Sequence, residues 1–383
     1  MYRFSAPMPY TIEDINKLFD INSVVHKSRI TSLYACVPRG SEVFTDFEQP
    51  RNFTHENTSW EYWKSLIAYT LDNGCDFIYL LNSPRPLDIE NPNFSQKLEK
   101  LDLLLTELNK LGVNKLRIAS GQLSAYIGRH YGNFQILSST SLEYKNIWEY
   151  QNFLFSHPEV KQVVPSHDVN KNFKLLSILR KKFPDVQIEL MVNEGCLAGC
   201  PNRMFHEMIS IDKQPEVNDI CLSYSFGTNF CFHILNRYPI PSLAIGNLIF
   251  PWDIEEYAKI GINNFKLAGR DGYVFFENYA EGFKVYLKGI DNIKSIEDES
   301  LVCFTHHLKN NPILASLSIK KYKKYLPEIT QFKKYGHLCA SICGTECMYC
   351  YKCAQKIEKV FAQEMKEKEK QNRYVPVCRF INI

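Results

Sequence analysis

Asp76-Phe77-Ile78-Tyr79-Leu80-Leu81, residues 76–81, and the stretches around them decide the fold. A short run rich in isoleucine, leucine and aromatic residues reads as a strand. Residues 96–111 follow, with Leu98, Leu101, Leu104, Leu105, Leu108 and Leu111 at the spacing of a helix with one apolar face. Lys115-Leu116-Arg117-Ile118-Ala119 then reads as a second strand. Strand, helix and strand at this spacing force parallel pairing, because the crossover must return over the sheet.

Working outward, the same alternation recurs. Residues 30–37, 134–138, 160–165, 186–192, 243–249 and 264–268 read as β segments. Residues 60–73, 144–155, 170–183, 254–260 and 272–287 read as helices, with a short helix over 203–209. About eight β segments with helices between them predict an α/β fold, a TIM-like (β/α)8 barrel rather than an open doubly wound sheet. The first strand is not followed by a glycine-rich phosphate loop, which also counts against a dinucleotide-binding fold. In such a barrel the site lies at the C-terminal ends of the strands. Those ends carry Asn82, Ser120, Ser139, His167, Asp168, Asn193, Glu194, Cys196 and Arg270. From residue 293 the pattern becomes mixed and lysine-rich. The expectation is a barrel over 1–292 and a small cysteine-rich, metal-binding extension over 293–383.

Composition is ordinary for a soluble globular protein: 383 residues, 45% hydrophobic and 23% charged. A net charge of +3 is too near neutral to argue by itself for nucleic acid or an anionic membrane. The basic stretches Arg180-Lys181-Lys182 and Lys320-Lys321-Tyr322-Lys323-Lys324 read as solvated faces. No apolar run reaches the roughly 18 residues of a membrane span, and no secretory signal is visible at the start. Thirteen cysteines without an export signal point to reduced thiols in the cytoplasm, several of them metal ligands, rather than to disulfides.

Two groups of cysteines stand out. Cys196 and Cys200 stand in Asn193-Glu194-Gly195-Cys196-Leu197-Ala198-Gly199-Cys200-Pro201-Asn202-Arg203, at a strand end. Two thiols four apart on a glycine-containing loop can share one iron–sulfur cluster. Cys221 and Cys231 are the nearest supply of two further ligands, and Cys36 is a longer-range candidate. The second group is Cys339, Cys343, Cys347, Cys350 and Cys353. Gaps this short suit an iron–sulfur cluster, with zinc as the alternative, because four thiolates also close a structural zinc site. The spacing Cys343, Cys347, Cys350 occurs in radical S-adenosylmethionine enzymes, but there it follows the first barrel strand, and here it stands after all the barrel units.

Ser166-His167-Asp168 ends a strand, and His206 follows Arg203, so either histidine could move a proton at the site. Arg270, just after a strand, could hold a carboxylate or phosphate, or close the barrel end in an ion pair with Asp271. Gly-x-Ser-x-Gly and His-Glu-x-x-His do not occur, so standard hydrolase machinery is not visible.

The run Val192-Asn193-Glu194-Gly195-Cys196-Leu197-Ala198-Gly199-Cys200-Pro201-Asn202-Arg203-Met204-Phe205-His206 resembles the signature of the collagenase-like peptidase family U-32. Phe250-Pro251-Trp252-Asp253-Ile254-Glu255-Glu256-Tyr257, running into Gly261-Ile262 and Phe265-Lys266-Leu267-Ala268-Gly269-Arg270, resembles that branch's second block. The opening Phe4-Ser5-Ala6-Pro7 and the cysteine-rich tail are similar too. The resemblance implies a TIM-like barrel holding a [4Fe–4S] cluster through four cysteines. It also implies oxygen-independent hydroxylation of RNA bases or quinone precursors, in some members with prephenate as oxygen donor. Cys196 and Cys200 carry over onto the motif cysteines, and Cys221 and Cys231 are assigned as the other two. The resemblance favours Arg270 as a substrate-anion ligand.

The expected function is therefore an iron–sulfur hydroxylase or oxidoreductase acting on an RNA base or small-molecule precursor, with one or two [4Fe–4S] clusters. Two other readings are a collagenase-like peptidase and a non-catalytic iron–sulfur or zinc scaffold for a partner protein in a biosynthetic complex.

Overall fold

A strand between a helical layer and a barrel interior presents alternate side chains to each, so its sequence must satisfy two environments. The computed structural model describes residues 1–38, 40–48, 59–83, 93–196, 199–204, 247–269, 279–304 and 317–325. Their elements run β1 (Tyr2–Pro7), α1 (Ile12–Val24), β2 (Ser28–Ala35), α2 (Trp60–Asp72), β3 (Asp76–Leu81), α3 (Phe94–Lys110), β4 (Lys115–Ile118) and α4 (Gly121–His130). They continue β5 (Gln135–Ser138), α5 (Ile147–Ser156), β6 (Val160–Val163), α6 (Phe173–Lys182), β7 (Gln187–Met191), α7 (Ile254–Lys259), β8 (Asn264–Lys266) and α8 (Tyr279–Asp291). The eight strands pair in parallel in chain order, and β8 returns to β1 to close the barrel. The fold is the (β/α)8 barrel that the alternation predicts.

Two units differ from the sequence reading. β1 was not anticipated as a strand, yet Phe4 pairs with Ile30 of β2 and with Phe265 of β8. Residues 243–249 were read as a strand; those described, 247–249, are not one. β7 pairs directly with β8, from Glu189 against Asn264 to Met191 against Lys266, so no strand fits between them. Leu248 and Ile249 are buried instead under the helical layer, where Ile249 N–H donates to Val192 O (2.8 Å) and Tyr286 Oη donates to Ile249 O (2.7 Å).

The helices begin where a polar residue can take the first free N–H groups. Ser59, Ser120 and Asn172 cap α2, α4 and α6, and Asn146 with Glu149 forms a capping box on α5. Each such cap is worth about 1 kcal/mol. Ser120 is thus accounted for as a cap rather than as chemistry. Ser139 likewise caps the short turn Thr140–Leu142.

Alternation sorts the strand residues. Phe4, Ala6, Leu33, Phe77, Tyr79, Leu116, Ile118, Ile188, Leu190, Phe265 and Leu267 face outward into one large core under the helices. In α3, Leu101, Leu104, Leu105 and Leu108 are buried in that core, each worth about 1.5–3 kcal/mol of burial. Tyr34, Ile78, Leu80 and Leu137 form a separate cluster inside the barrel. Polar and charged side chains share the interior with it: Arg117 of β4 binds Glu189 of β7, and Ser5 Oγ of β1 donates to the same carboxylate (2.7 Å). β4 and β7 are not neighbours, so this ion pair crosses the barrel.

After α8 the described chain stays on the barrel. Ile296, Leu301, Leu317, Ile319 and Tyr322 join the outer core. Tyr322 of α9 (Ile319–Tyr325) lies against Phe250, with ring centroids 5.3 Å apart. The tail cysteines lie outside the described residues.

Candidate functional site

The C-terminal ends of β6 and β7 meet in a charged network that decides where the Cys196 loop sits. Ser166-His167-Asp168 leaves β6 into the turn His167–Val169, with Ser166 Oγ accepting from Asp168 N–H (3.4 Å). Asp168 Oδ1 then accepts from Gly199 N–H (2.9 Å), Arg203 Nη2 (2.9 Å) and Asn247 Nδ2 (3.2 Å), while Lys145 Nζ lies 3.0 Å from Oδ2. Gly199 has φ +62, a left-handed conformation that glycine adopts at least cost. One carboxylate in the turn after β6 therefore holds Gly199, between the two cysteines, and the arginine just after them.

Glu143 is the second anchor, and the sequence reading missed it. It has φ +52, costly for a residue with a Cβ, and that turn aims its carboxylate inward. Its Oε2 accepts from Ser166 Oγ (2.8 Å) and Arg203 Nη1 (3.3 Å). Its Oε1 stands 3.9 Å from His167 Nδ1, beyond hydrogen-bond reach, and neither atom has a hydrogen-bond partner among the described residues. His167 Nε2 faces Met191 Sδ at 3.2 Å, inside the mouth of β7.

The charges follow from this geometry. Burial alone would raise Asp168, but the Arg203 hydrogen bond, the Gly199 N–H and Lys145 outweigh it and hold the carboxyl well below its usual range. Burial alone would lower Arg203, but Asp168, Cys196 and Glu143 keep it firmly protonated. Burial pushes His167 below its ordinary value, against the opposing pull of Glu194, so it is neutral near pH 7.

Cys196 and Cys200 are half-buried at this mouth. By contrast, burial pushes the thiols of Cys75 and Cys303 up to about 12, which marks them as inert packing residues. Cys196 lies within electrostatic reach of the Arg203 guanidinium, and a neighbouring cation favours the thiolate. The donor set thus fits half of a four-thiolate iron–sulfur or zinc site. Among the described residues no group of three or more His, Cys, Asp or Glu side chains is arranged to hold a metal ion.

Of the residues singled out from the sequence, His167, Asp168, Cys196 and Cys200 come together here. Asn193 ties the ends of β7 and β8, with its Nδ2 donating to Ala268 O (3.1 Å). Cys36 ends up against the Tyr34 cluster inside the barrel. His206, Arg270, Cys221, Cys231, Cys339, Cys343, Cys347, Cys350 and Cys353 lie outside the described residues. No described helix is long and apolar enough to cross a membrane.

No family model matches the chain, and no curated protein matches it. Solved structures similar to it include the U32 peptidase Mk0906, 13% identical with a TM-score of 0.45, covering 70% of this chain and 93% of that one. They also include CdNal from Clostridium difficile in complex with mannosamine, 10% identical with a TM-score of 0.35, covering 94% of this chain and 98% of that one. The first carries the name of the family that residues 192–206 resemble.

Proposed function

We propose that this chain is an iron–sulfur enzyme of the U-32-like barrel class, performing oxygen-independent hydroxylation or a related redox modification of an RNA base or small biosynthetic precursor. The observation that carries the reading is the Cys196–Cys200 loop, fixed at the catalytic end of the barrel by Gly199 N–H and Arg203 on Asp168. Cys196 and Cys200 would hold the cluster, with Cys221 and Cys231 as the further ligands proposed from the sequence. A bound [4Fe–4S] centre supplies one-electron transfer and an iron that can engage an oxygen donor. Arg203 favours the thiolate form of Cys196, and Asp168 keeps that arginine in place. His167, buried and neutral, can take a proton at Nδ1, and Glu143 Oε1 stands ready to stabilise the imidazolium that forms. His206 would be the alternative proton carrier and Arg270 the ligand for a substrate anion.

The test is anaerobic purification with a visible spectrum and quantitation of iron, sulfide and zinc. A broad brown absorption with equal iron and sulfide supports the reading. Colourless protein holding stoichiometric zinc contradicts it and leaves the hydrolase and scaffold readings.

A further inference from the structure

A buried carboxylate is stable as an anion where a cation meets it. Asp168 and Glu143 meet Arg203 at the mouth, and Glu189 meets Arg117 deeper in the barrel. Glu48 has a different setting. It stands in the connection between β2 and α2, is 1% exposed, and none of its contacts among the described residues is with a cation. Its Oε2 accepts from Thr45 N–H (3.0 Å) and faces Thr45 Oγ1 (2.5 Å), while its Oε1 faces Tyr79 Oη of β3 (2.8 Å). The cations on the adjoining helices are engaged elsewhere. Lys97 of α3 lies 3.0 Å from Asp46, and Lys64 of α2 pairs with Glu61 of its own helix.

Two of the three groups around Glu48 are hydroxyls, which accept as well as donate. A protonated carboxyl can therefore give its O–H to Thr45 Oγ1 or Tyr79 Oη while its other oxygen accepts. The hydroxyls are themselves placed by backbone donors: Phe47 N–H donates to Thr45 Oγ1 (3.3 Å) and Val37 N–H to Tyr79 Oη (3.5 Å). An ionised carboxylate in the same place would be a buried charge with no opposite charge beside it, which is strongly disfavoured. Burial accordingly pushes the Glu48 carboxyl up to about 8, against the pull of its hydrogen bonds to Thr45 and Tyr79. Tyr79 is itself raised well above its ordinary value, by burial first and then by Glu48 and by Cys36 at the end of β2, so it stays a neutral hydroxyl.

The carboxyl is also placed to hold a loop. Ser83 N–H, just past the end of β3, donates to Phe47 O (2.9 Å), so residues 40–48 lie at the same end of the barrel as Asp168 and Cys196. Glu42 Oε1 accepts from Trp60 N–H at the start of α2 (3.0 Å), and Phe47 packs in the outer core. Glu48 adds a side-chain tie from this stretch to a barrel strand.

We infer that Glu48 is a protonation latch: its neutral carboxyl fastens residues 40–48 to β3 at the barrel mouth, and loss of its proton to solvent releases them. The unfolded chain gives up this proton near the ordinary value of 4.5, and the folded chain holds it to about 8. The latch thus contributes stability that is full below the unfolded value and is lost as the pH rises through the folded one. Burial of neutral His167 has the opposite sign, and its effect falls below about pH 6.5. The latch stands on the β2–β3 side of the mouth and does not require the iron–sulfur reading.

The experiment compares the full-length wild type with Glu48→Gln, whose amide is neutral at every pH and can donate to Tyr79 Oη while its oxygen accepts from Thr45. Urea denaturation is read at about pH 6.5 and 7.5. Hydrogen–deuterium exchange is read at about pH 7 and 9, corrected for the intrinsic rate. The expected result is a folding equilibrium constant that falls about tenfold more in the wild type than in the variant across that pH unit. Protection of residues 40–48 drops at the higher pH in the wild type, stays in the variant, and is unchanged over α3 in both. Equal pH dependence in the two proteins, or wild-type protection of 40–48 that is the same at both pH values, overturns the inference. If Glu48→Gln does not fold, the wild-type exchange decides alone.

Discussion

At the scale of single residues, the mouth of the barrel is organised by Asp168, and its effect should be measurable. Asp168→Ala removes the acceptor for Gly199 N–H and takes from Arg203, 4% exposed, its shorter ion pair while the one with Glu143 stays. Breaking a buried pair by deleting one partner costs about 3–5 kcal/mol, and the remaining Glu143 contact places the expected loss near the low end, about 3 kcal/mol by urea denaturation. His167 gives a pH signature. Its folded-state value is lowered by burial, so the unfolded chain takes up the proton first. Stability is then full above the unfolded value of about 6.5 and falls as the pH drops below it. His167→Gln should flatten that decline between about pH 6.5 and 5, read as urea midpoints at the two ends. An unchanged slope in the variant would assign the decline to other groups. Cys196, Cys200, His167 and Asp168 were legible in the sequence because ligand spacing and strand-end position are local patterns. Glu143, Arg117 and Glu189 were not, since each acts on a partner far away in the chain. The signal available for the last two was a charge flanked by apolar residues on a strand buried on both faces, as in Leu116-Arg117-Ile118 and Ile188-Glu189-Leu190.

At the scale of elements, glycine explains both a missed helix and a testable contact. α4 was not read from the sequence because Gly121 and Gly128 weaken its pattern. Their place is set by packing: a Cβ on Gly121 would meet His157 Nε2 at 2.7 Å, and one on Gly128 would meet Glu159 Cγ at 2.8 Å. β1 was missed because Tyr2-Arg3-Phe4-Ser5-Ala6-Pro7 is short and carries a serine whose reason, the bond to Glu189, lies across the barrel. The apolar run at 247–249 was misread because burial alone does not distinguish a strand from a loop pressed under helices. On α8, a Cβ on Gly282 would lie 2.7 Å from the backbone oxygen of Cys303, which cannot swing aside. Alanine favours a helix over glycine by about 1 kcal/mol, whereas overpacking costs about 1–3 kcal/mol. Gly282→Ala should therefore lower the melting temperature. A rise would mean that the 301–304 turn does not press on α8.

At the scale of the whole molecule, barrel closure turns these local features into one site. Eight strands in chain order bring the β6 turn with Asp168, the β7 loop with Cys196 and Cys200, and the loop carrying Glu143 to the same end. The same closure buries Arg117, Glu189 and Lys266 beneath them. The thiols and the imidazole of His167 thus stand at the mouth, and the Arg117–Glu189 ion pair lies deeper on the same strands. Alternation of strands and helices made this architecture readable from sequence, since periodicity needs no knowledge of long-range contacts. Chemistry is read less directly, because it depends on which distant side chains the closure brings together. The central claim is that Cys196 and Cys200 hold an iron–sulfur cluster at the barrel mouth. The most direct measurement is iron and sulfide per chain after anaerobic reconstitution of the wild type and of Cys196→Ala. The account predicts roughly eight irons in the wild type if both cysteine groups carry cubanes, and loss of about half in the variant with the fold intact. Iron content unchanged by Cys196→Ala would contradict it and move any cluster away from the mouth.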